Sequence, residues 1–193
     1  MVQWFNWTTF DIIGDLAFGE SFGCLENMHV HPWIEHIFGN VKSAIWMAAI
    51  RYFGLSPLLR YLMPKRLLQQ RMENFRFVSE KVDQRISFGT GRGDLLDNVI
   101  EHKSDEHGLT VDEIKSNASN FVVAGSETTA TLLSGTTYYL LTNPRVLKKV
   151  VEEIRTSFQS SGDINIATVS RLKYMLAVLQ ESLRIFPPVP ACR

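Results

Sequence analysis

Between Ser116 and Pro144 the chain runs for 29 residues with a single charged side chain, Glu127. A stretch so poor in charge calls for a membrane test. Length permits a membrane span, which needs about 20 mostly apolar residues. Composition argues against it. Asn117, Ser119, Asn120, Ser126, Thr128, Thr129, Thr131, Ser134, Thr136 and Thr137 are too many polar groups for contact with lipid. The stretch therefore predicts a long helix inside a large helical domain. Its start is marked by Thr110-Val111-Asp112-Glu113, a capping box in which the Thr110 hydroxyl accepts from a first-turn amide and Glu113 reaches back to the cap. Its end is marked by Asn143-Pro144, with Asn143 as cap and Pro144 at the first position of the next helix. The long helix is placed at 110–141.

The rest of the chain also reads as helix. Expected segments are Thr8 to Phe18, Trp33 to Tyr52 with a break near Gly39, Lys65 to Ser87, Asp94 to Ile100, Pro144 to Phe158, a turn from Asn165 to Val169, and 170–186. On Lys65 to Ser87, the residues Leu68, Met72, Phe75 and Val82 form the apolar stripe. Gly89-Thr90-Gly91-Arg92-Gly93 reads as a flexible break. Trp4, Phe5, Trp7 and Phe10 crowd the start and suggest a helix whose partners lie upstream. No β unit, repeat or glycine-rich phosphate loop is apparent, so the fold class is all-α.

Charge and cysteine content exclude other classes. Twenty Lys plus Arg balance twenty Asp plus Glu in 193 residues, which is no nucleic-acid footprint. Two cysteines, Cys24 and Cys192, make neither a disulfide framework nor a cysteine-rich metal site. The first residues lack a basic segment followed by an apolar core, so no signal peptide or membrane anchor is read.

Two constellations carry chemical information. The first is Ala124-Gly125-Ser126-Glu127-Thr128-Thr129. Small residues let something flat or bulky approach the backbone. An acid beside a hydroxyl suits proton delivery to a group bound there. The same residues also fit a tight helix crossing with Glu127 in a structural salt bridge. The second is Glu181-Ser182-Leu183-Arg184, whose acid and base sit at i and i+3 on one helix face. Leu172, Met175, Leu176, Leu179 and Leu183 form the apolar stripe opposite. The pair reads either as an exposed ion pair of little energetic worth or as a fixed internal pair holding another segment.

Taken together these motifs resemble the cytochrome P450 family, fungal microsomal type. Ala124 to Thr128 is similar to the family's small-Gly-x-acid-Thr motif, and Glu181 to Arg184 to its E-x-x-R motif. Asp11 to Gly19, Leu140 to Pro144, Val151 to Arg155, Arg171 to Met175 and Val178 to Pro190 resemble family text in the same order. The resemblance implies the central portion of that fold, about helices E to K, with 1–193 a partial domain. The 110–141 helix would be the oxygen-groove helix and 170–186 the E-x-x-R helix.

It further implies that Ala124, Gly125 and Thr129 line a haem face. Glu127 and Thr128 would be a catalytic acid–alcohol pair relaying protons to dioxygen, and Glu181 with Arg184 a structural ion pair. The implied activity is haem-dependent monooxygenation of an apolar organic substrate, in fungal secondary metabolism. Electrons would come from NADPH through a reductase at the endoplasmic reticulum membrane. The family's haem-thiolate loop has no counterpart here. The chain ends nine residues after Arg184, and neither Cys24 nor Cys192 stands in a matching context. The expectation is an internal fragment, itself inactive, with no metal ligand and without stable haem binding. Alternative expectations are a non-catalytic helical remnant or protein-binding module, and a membrane-embedded helical protein built around Ser116 to Pro144.

Overall fold

The computed structural model describes residues 1–29, 48–54, 65–103 and 108–189. Among them every regular element is helical: α1 Val2–Phe18, α2 Cys24–Asn27, α3 Lys65–Ser87, α4 Asp97–Glu101, α5 Val111–Thr142, α6 Pro144–Ser157, a 3₁₀ turn Ser161–Asp163, α7 Ile166–Val169 and α8 Lys173–Ile185. The all-α expectation holds. Most of the expected Trp33 to Tyr52 helix and Cys192 lie outside the described residues. The chain divides into two compact units, Trp7–Ser126 and Met1–Asn6 with Glu127–Arg193.

Residues 7–126 enclose an apolar core. Trp7, Phe10, Ile13, Ala17 and Phe18 of α1 pack with Val78 and Val82 of α3, Leu96, Ile100 of α4, and Ile114, Ala118 and Val122 of α5. Trp7 and Phe10 thus find partners among the described residues. Helix α1 also begins at Val2, six residues before the expected start, because burial of Trp7 outweighs weak local propensity. The expected α3 stripe is rotated. Val78 and Val82 are buried while Met72 and Phe75 are exposed, and the side chain of Leu68 lies outside the described ones.

One turn beyond Val82 on that buried face stands a charge. The Arg85 side chain is fully buried. Its Nε donates to Asp94 at 2.6 Å, its Nη2 to Asp94 at 3.0 Å and Asp97 at 2.6 Å, and its Nη1 to the Gly89 carbonyl at 2.6 Å. Asp97 also accepts from the Gly91 and Gly93 amides. Arg92 reaches from the same loop to Asp15 of α1 and to the carbonyl of Gly19 just after that helix. The glycine-rich loop expected to be a flexible break is therefore tied at both sides. Gly89, Gly91 and Gly93 all have positive φ, which is why only glycine serves there without strain. Buried charges of this kind persist only when paired and hydrogen-bonded. Asp94 additionally accepts from the Leu96 and Asp97 amides. That turn delays α4 to Asp97, three residues past the expected Asp94.

The other unit is thinner. Ala130 of α5, Val150 of α6 and Leu172 before α8 are its buried apolar residues among those described. Tyr138, Leu141, Ile166, Leu176, Leu183, Ile185 and Phe186 remain exposed. Pro144 opens α6 as expected. Asn143 holds the cap position, but its side chain donates back to the Tyr139 carbonyl at 2.9 Å and does not cap α6. Helix α8 starts at Lys173, not Ser170, whose hydroxyl instead donates to the Ala167 carbonyl of α7.

Candidate functional site

The long helix is built as its sequence predicts. The Glu113 carboxylate accepts from the Thr110 amide at 2.8 Å and the Glu113 amide donates to the Thr110 hydroxyl at 3.3 Å, the reciprocal capping box. From there α5 runs unbroken through the small-residue motif.

On the 7–126 side of that motif, Val122 and Ser126 are buried and Ala124 is exposed. Ser126 turns its hydroxyl back to the Val122 carbonyl within the helix, as serine does in long apolar helices. Gly125 lies against α1. A Cβ at Gly125 would stand 2.8 Å from Ile13 Cδ1 and 3.1 Å from Ile13 Cγ1. Its missing side chain thus makes room for α1.

On the 127–193 side, Glu127 and Thr128 are half-buried and Thr129 is exposed. Burial raises the Glu127 carboxyl above the ordinary carboxylate range, because removal from water disfavours the charged form. No cation pairs with Glu127 among the described residues, so the expected salt bridge is not seen there. Helical spacing sets Ala124, Glu127 and Thr128 on one side of α5, three and four residues apart. Gly125 and Thr129 share a different side. A carboxyl held toward its protonated form can give up a proton and take one back, which suits a general acid.

The second constellation stands at the far end of the same unit. Arg184 Nε and Nη2 each donate to a Glu181 carboxylate oxygen at 2.7 Å, a two-bond fork. Arg184 is 71% exposed and Glu181 53%. Here the pair is an exposed one. Arg184 holds the Glu181 carboxyl below its ordinary range, and Glu181 raises the guanidinium in return. The expected apolar stripe of α8 matches its buried face in part. Leu172 and Ser182 are buried, Met175, Val178 and Leu179 half-buried, and Leu176 and Leu183 exposed. Ser182 can be buried because its hydroxyl donates to the Val178 carbonyl at 2.8 Å. Beside it lies a cavity of about 370 Å³, walled by Tyr139, Asn143, Val146, Tyr174, Val178 and Glu181.

A haem group would need an iron ligand. Cys24 is 1% exposed, sealed in the apolar core of residues 7–126, and Cys192 lies outside the described residues. No group of three or more His, Cys, Asp or Glu able to hold a metal ion occurs among the described residues. Haem iron takes a single thiolate in this chemistry, and Cys24, sealed in that core, is not placed to supply it. No described helix is long and apolar enough to cross a membrane, which weighs against the membrane-embedded reading of the long helix.

Two structural residues escaped sequence reasoning. Asp11 accepts from the Cys24 and Leu25 amides at 2.9 and 2.8 Å, and Glu153 accepts from the Tyr174 and Met175 amides, each at 2.8 Å. Nothing local marks either carboxylate as a cap, since each serves a helix 13 or more residues downstream.

Comparison with known proteins fits the helical architecture and the order of the motifs. The chain is 52% identical over 190 residues to averantin hydroxylase of Dothistroma septosporum, covering 98% of this chain and 36% of that protein. It is 46% identical over 191 residues to the cytochrome P450 monooxygenase astA of Talaromyces wortmannii, covering 98% of this chain and 39% of that one. A crystal structure of a cytochrome P450DA mutant heme domain superposes with a TM-score of 0.77 at 25% identity, over 95% of this chain and 40% of that chain. This chain thus spans under half the length of the relatives it matches. The sequence model described as Cytochrome P450 matches residues 1–193, the full length of the chain, which therefore belongs to the cytochrome P450 family.

Proposed function

We propose that these residues supply the proton-delivery helix and the E-x-x-R helix of a longer haem-dependent monooxygenase acting on an apolar organic substrate of fungal secondary metabolism. The observation that carries this reading is Glu127, a half-buried carboxyl raised by desolvation and followed directly in the helix by the half-buried Thr128. In the longer protein haem would supply the oxidising chemistry, with electrons from NADPH through a reductase at the endoplasmic reticulum membrane. Within this chain, Glu127 holds a proton and Thr128 passes it on. Ala124, one turn before Thr128, leaves that side of α5 low enough for a flat group to approach. Gly125 acts through its packing on Ile13, which fixes α5 to α1, and Thr129 lies beyond the acid–alcohol pair. Glu181 and Arg184 organise a neighbouring segment and take no part in proton transfer. On this reading the 193-residue chain alone carries only part of that machinery, since it spans under half the length of its relatives.

Two of the relatives are named as averantin hydroxylases, so averantin is the first substrate to try. The test pairs the longer polypeptide that contains these residues with an NADPH-dependent reductase. Hydroxylated product per NADPH consumed should fall about 10²-fold or more in Thr128→Ala. Glu127→Gln should lower the rate while leaving substrate binding unchanged. Unaltered coupling in both variants would sink the assignment. The 193-residue chain mixed with haemin should give no stable thiolate-type band in its reduced carbon-monoxide spectrum.

A further inference from the structure

The first amides of any helix lack acceptors within it. A Ser, Thr, Asp or Asn at the cap position ordinarily supplies one. Helix α8 has no such residue. Its cap position is Leu172, which makes no side-chain bond and is buried at 5% exposure. That position is committed to the core of residues 127–193, so a polar cap there would cost burial.

The acceptors come from α6. Glu153 Oε1 accepts from the Tyr174 amide and Oε2 from the Met175 amide, both at 2.8 Å. Two carboxylate oxygens meet two successive amides at the positive end of the helix dipole, where charge-assisted bonds are strongest. One turn earlier on α6, Lys149 Nζ lies 5.6 Å from the centre of the Tyr174 ring. Helix α6 thus grips the first turn of α8 at two points.

We infer that Glu153 is a positioning residue. Its carboxylate is the cap of α8, fixing where that helix begins and how it is rotated. That rotation carries Ser182 inward and Glu181 onto the cavity wall. The importance of placing Glu181 and Arg184 rests on the function proposed above, whereas the cap itself does not. A carboxylate is required because each oxygen serves one amide. Glutamine keeps one acceptor and turns an NH₂ toward the other amide. Alanine keeps none.

The experiment is residue-resolved amide hydrogen exchange on the full 193-residue chain, comparing wild type with Glu153→Gln and Glu153→Ala. The Tyr174 and Met175 amides should exchange about tenfold faster in the alanine variant, with glutamine between it and wild type. Amides of Val150 on α6 and of Val178 and Ser182 deeper in α8 should change by less than twofold. Tyr174 and Met175 rates within twofold of wild type in both variants would overturn the inference. So would a uniform loss of protection across α6 and α8 in Glu153→Gln, which would make Glu153 a general packing residue. If the alanine variant does not fold, the near-isosteric glutamine variant decides the matter from the same two amides. Haem enters none of these measurements, so failure of the monooxygenase reading and failure of the cap are separately visible.

Discussion

Gly125 and Gly135 lie on the same helix, and a methyl added to either would meet its nearest neighbour at 2.8 Å. The neighbours differ. Gly125 faces Ile13, 8% exposed and locked in the core of residues 7–126. Gly135 faces Phe186, 47% exposed at the end of α8. Identical geometry therefore has different consequences, because one neighbour can move and the other cannot. The contrast extends to the units that hold them. Residues 7–126 are closed by a continuous apolar core and a buried ionic hub. Residues 127–193 have few buried apolar side chains among those described and are organised more by caps such as Glu153.

The hub should give the largest difference. Arg85→Met removes the cation and leaves Asp94 and Asp97 facing each other near the core. Breaking one partner of a buried pair costs about 3–5 kcal/mol. Urea unfolding followed by circular dichroism should register that loss. Hydrogen exchange should place it in residues 7–126, with α6 and α8 little changed. Equal loss of protection in both units would erase the contrast drawn here. Core truncation sharpens it further. Phe18→Ala, at 2% exposure, should cost about 3–4 kcal/mol, while Leu172→Ala should cost about 2 kcal/mol, since a thin core relaxes more readily around a lost side chain.

The two glycines give a smaller and more specific pair of outcomes. Gly125→Ala forces Ile13 out of place and should cost about 1–3 kcal/mol. Adding Ile13→Val removes the atom at 2.8 Å and should recover part of that loss. Gly135→Ala lets Phe186 swing away, so the helix-propensity gain of at most about 1 kcal/mol dominates. Thermal melting of the four chains checks the signs. A stabilised Gly125→Ala would show that α1 is not held against α5 at that point.

The helices were largely legible because their signals are local. The Thr110–Glu113 box and Pro144 each act within one turn, and Lys65 to Ser87 was bounded correctly at both ends. What escaped depends on distant residues. Met72 and Phe75 look like core from spacing, and so do Leu176 and Leu183, yet all four are exposed. Periodicity fixes that a face exists, but tertiary packing decides which face is buried. Arg85 did leave a trace, as it follows Val78 and Val82 at helical spacing on the buried side. Its acceptors Asp94 and Asp97 could not be paired with it from spacing. The candidate site was legible only as a motif. Which neighbour Gly125 meets is decided by α1, more than 100 residues earlier.

Within residues 127–193 the smallest effects concern two acids shifted in opposite directions. Burial raises the Glu127 carboxyl, so the folded chain holds that proton more tightly than the unfolded chain does. Folding is favoured below the unfolded value, and that advantage is lost as pH rises through the raised one. Glu127→Gln should therefore be more stable than wild type near neutral pH and equal to it in acid. Denaturant midpoints measured across that range check this, and a constant difference at every pH would contradict it. Glu181 runs the other way. Its carboxyl is lowered by Arg184, so its contribution is present above the unfolded value and fades as pH falls. With both partners largely in water, solvent screening leaves that contribution near zero. Glu181→Gln should then leave the midpoint unmoved at neutral pH in the 193-residue chain. A clear loss there would mean that the pair already holds something within these residues, and the exposed fork would have to be reread as an internal anchor.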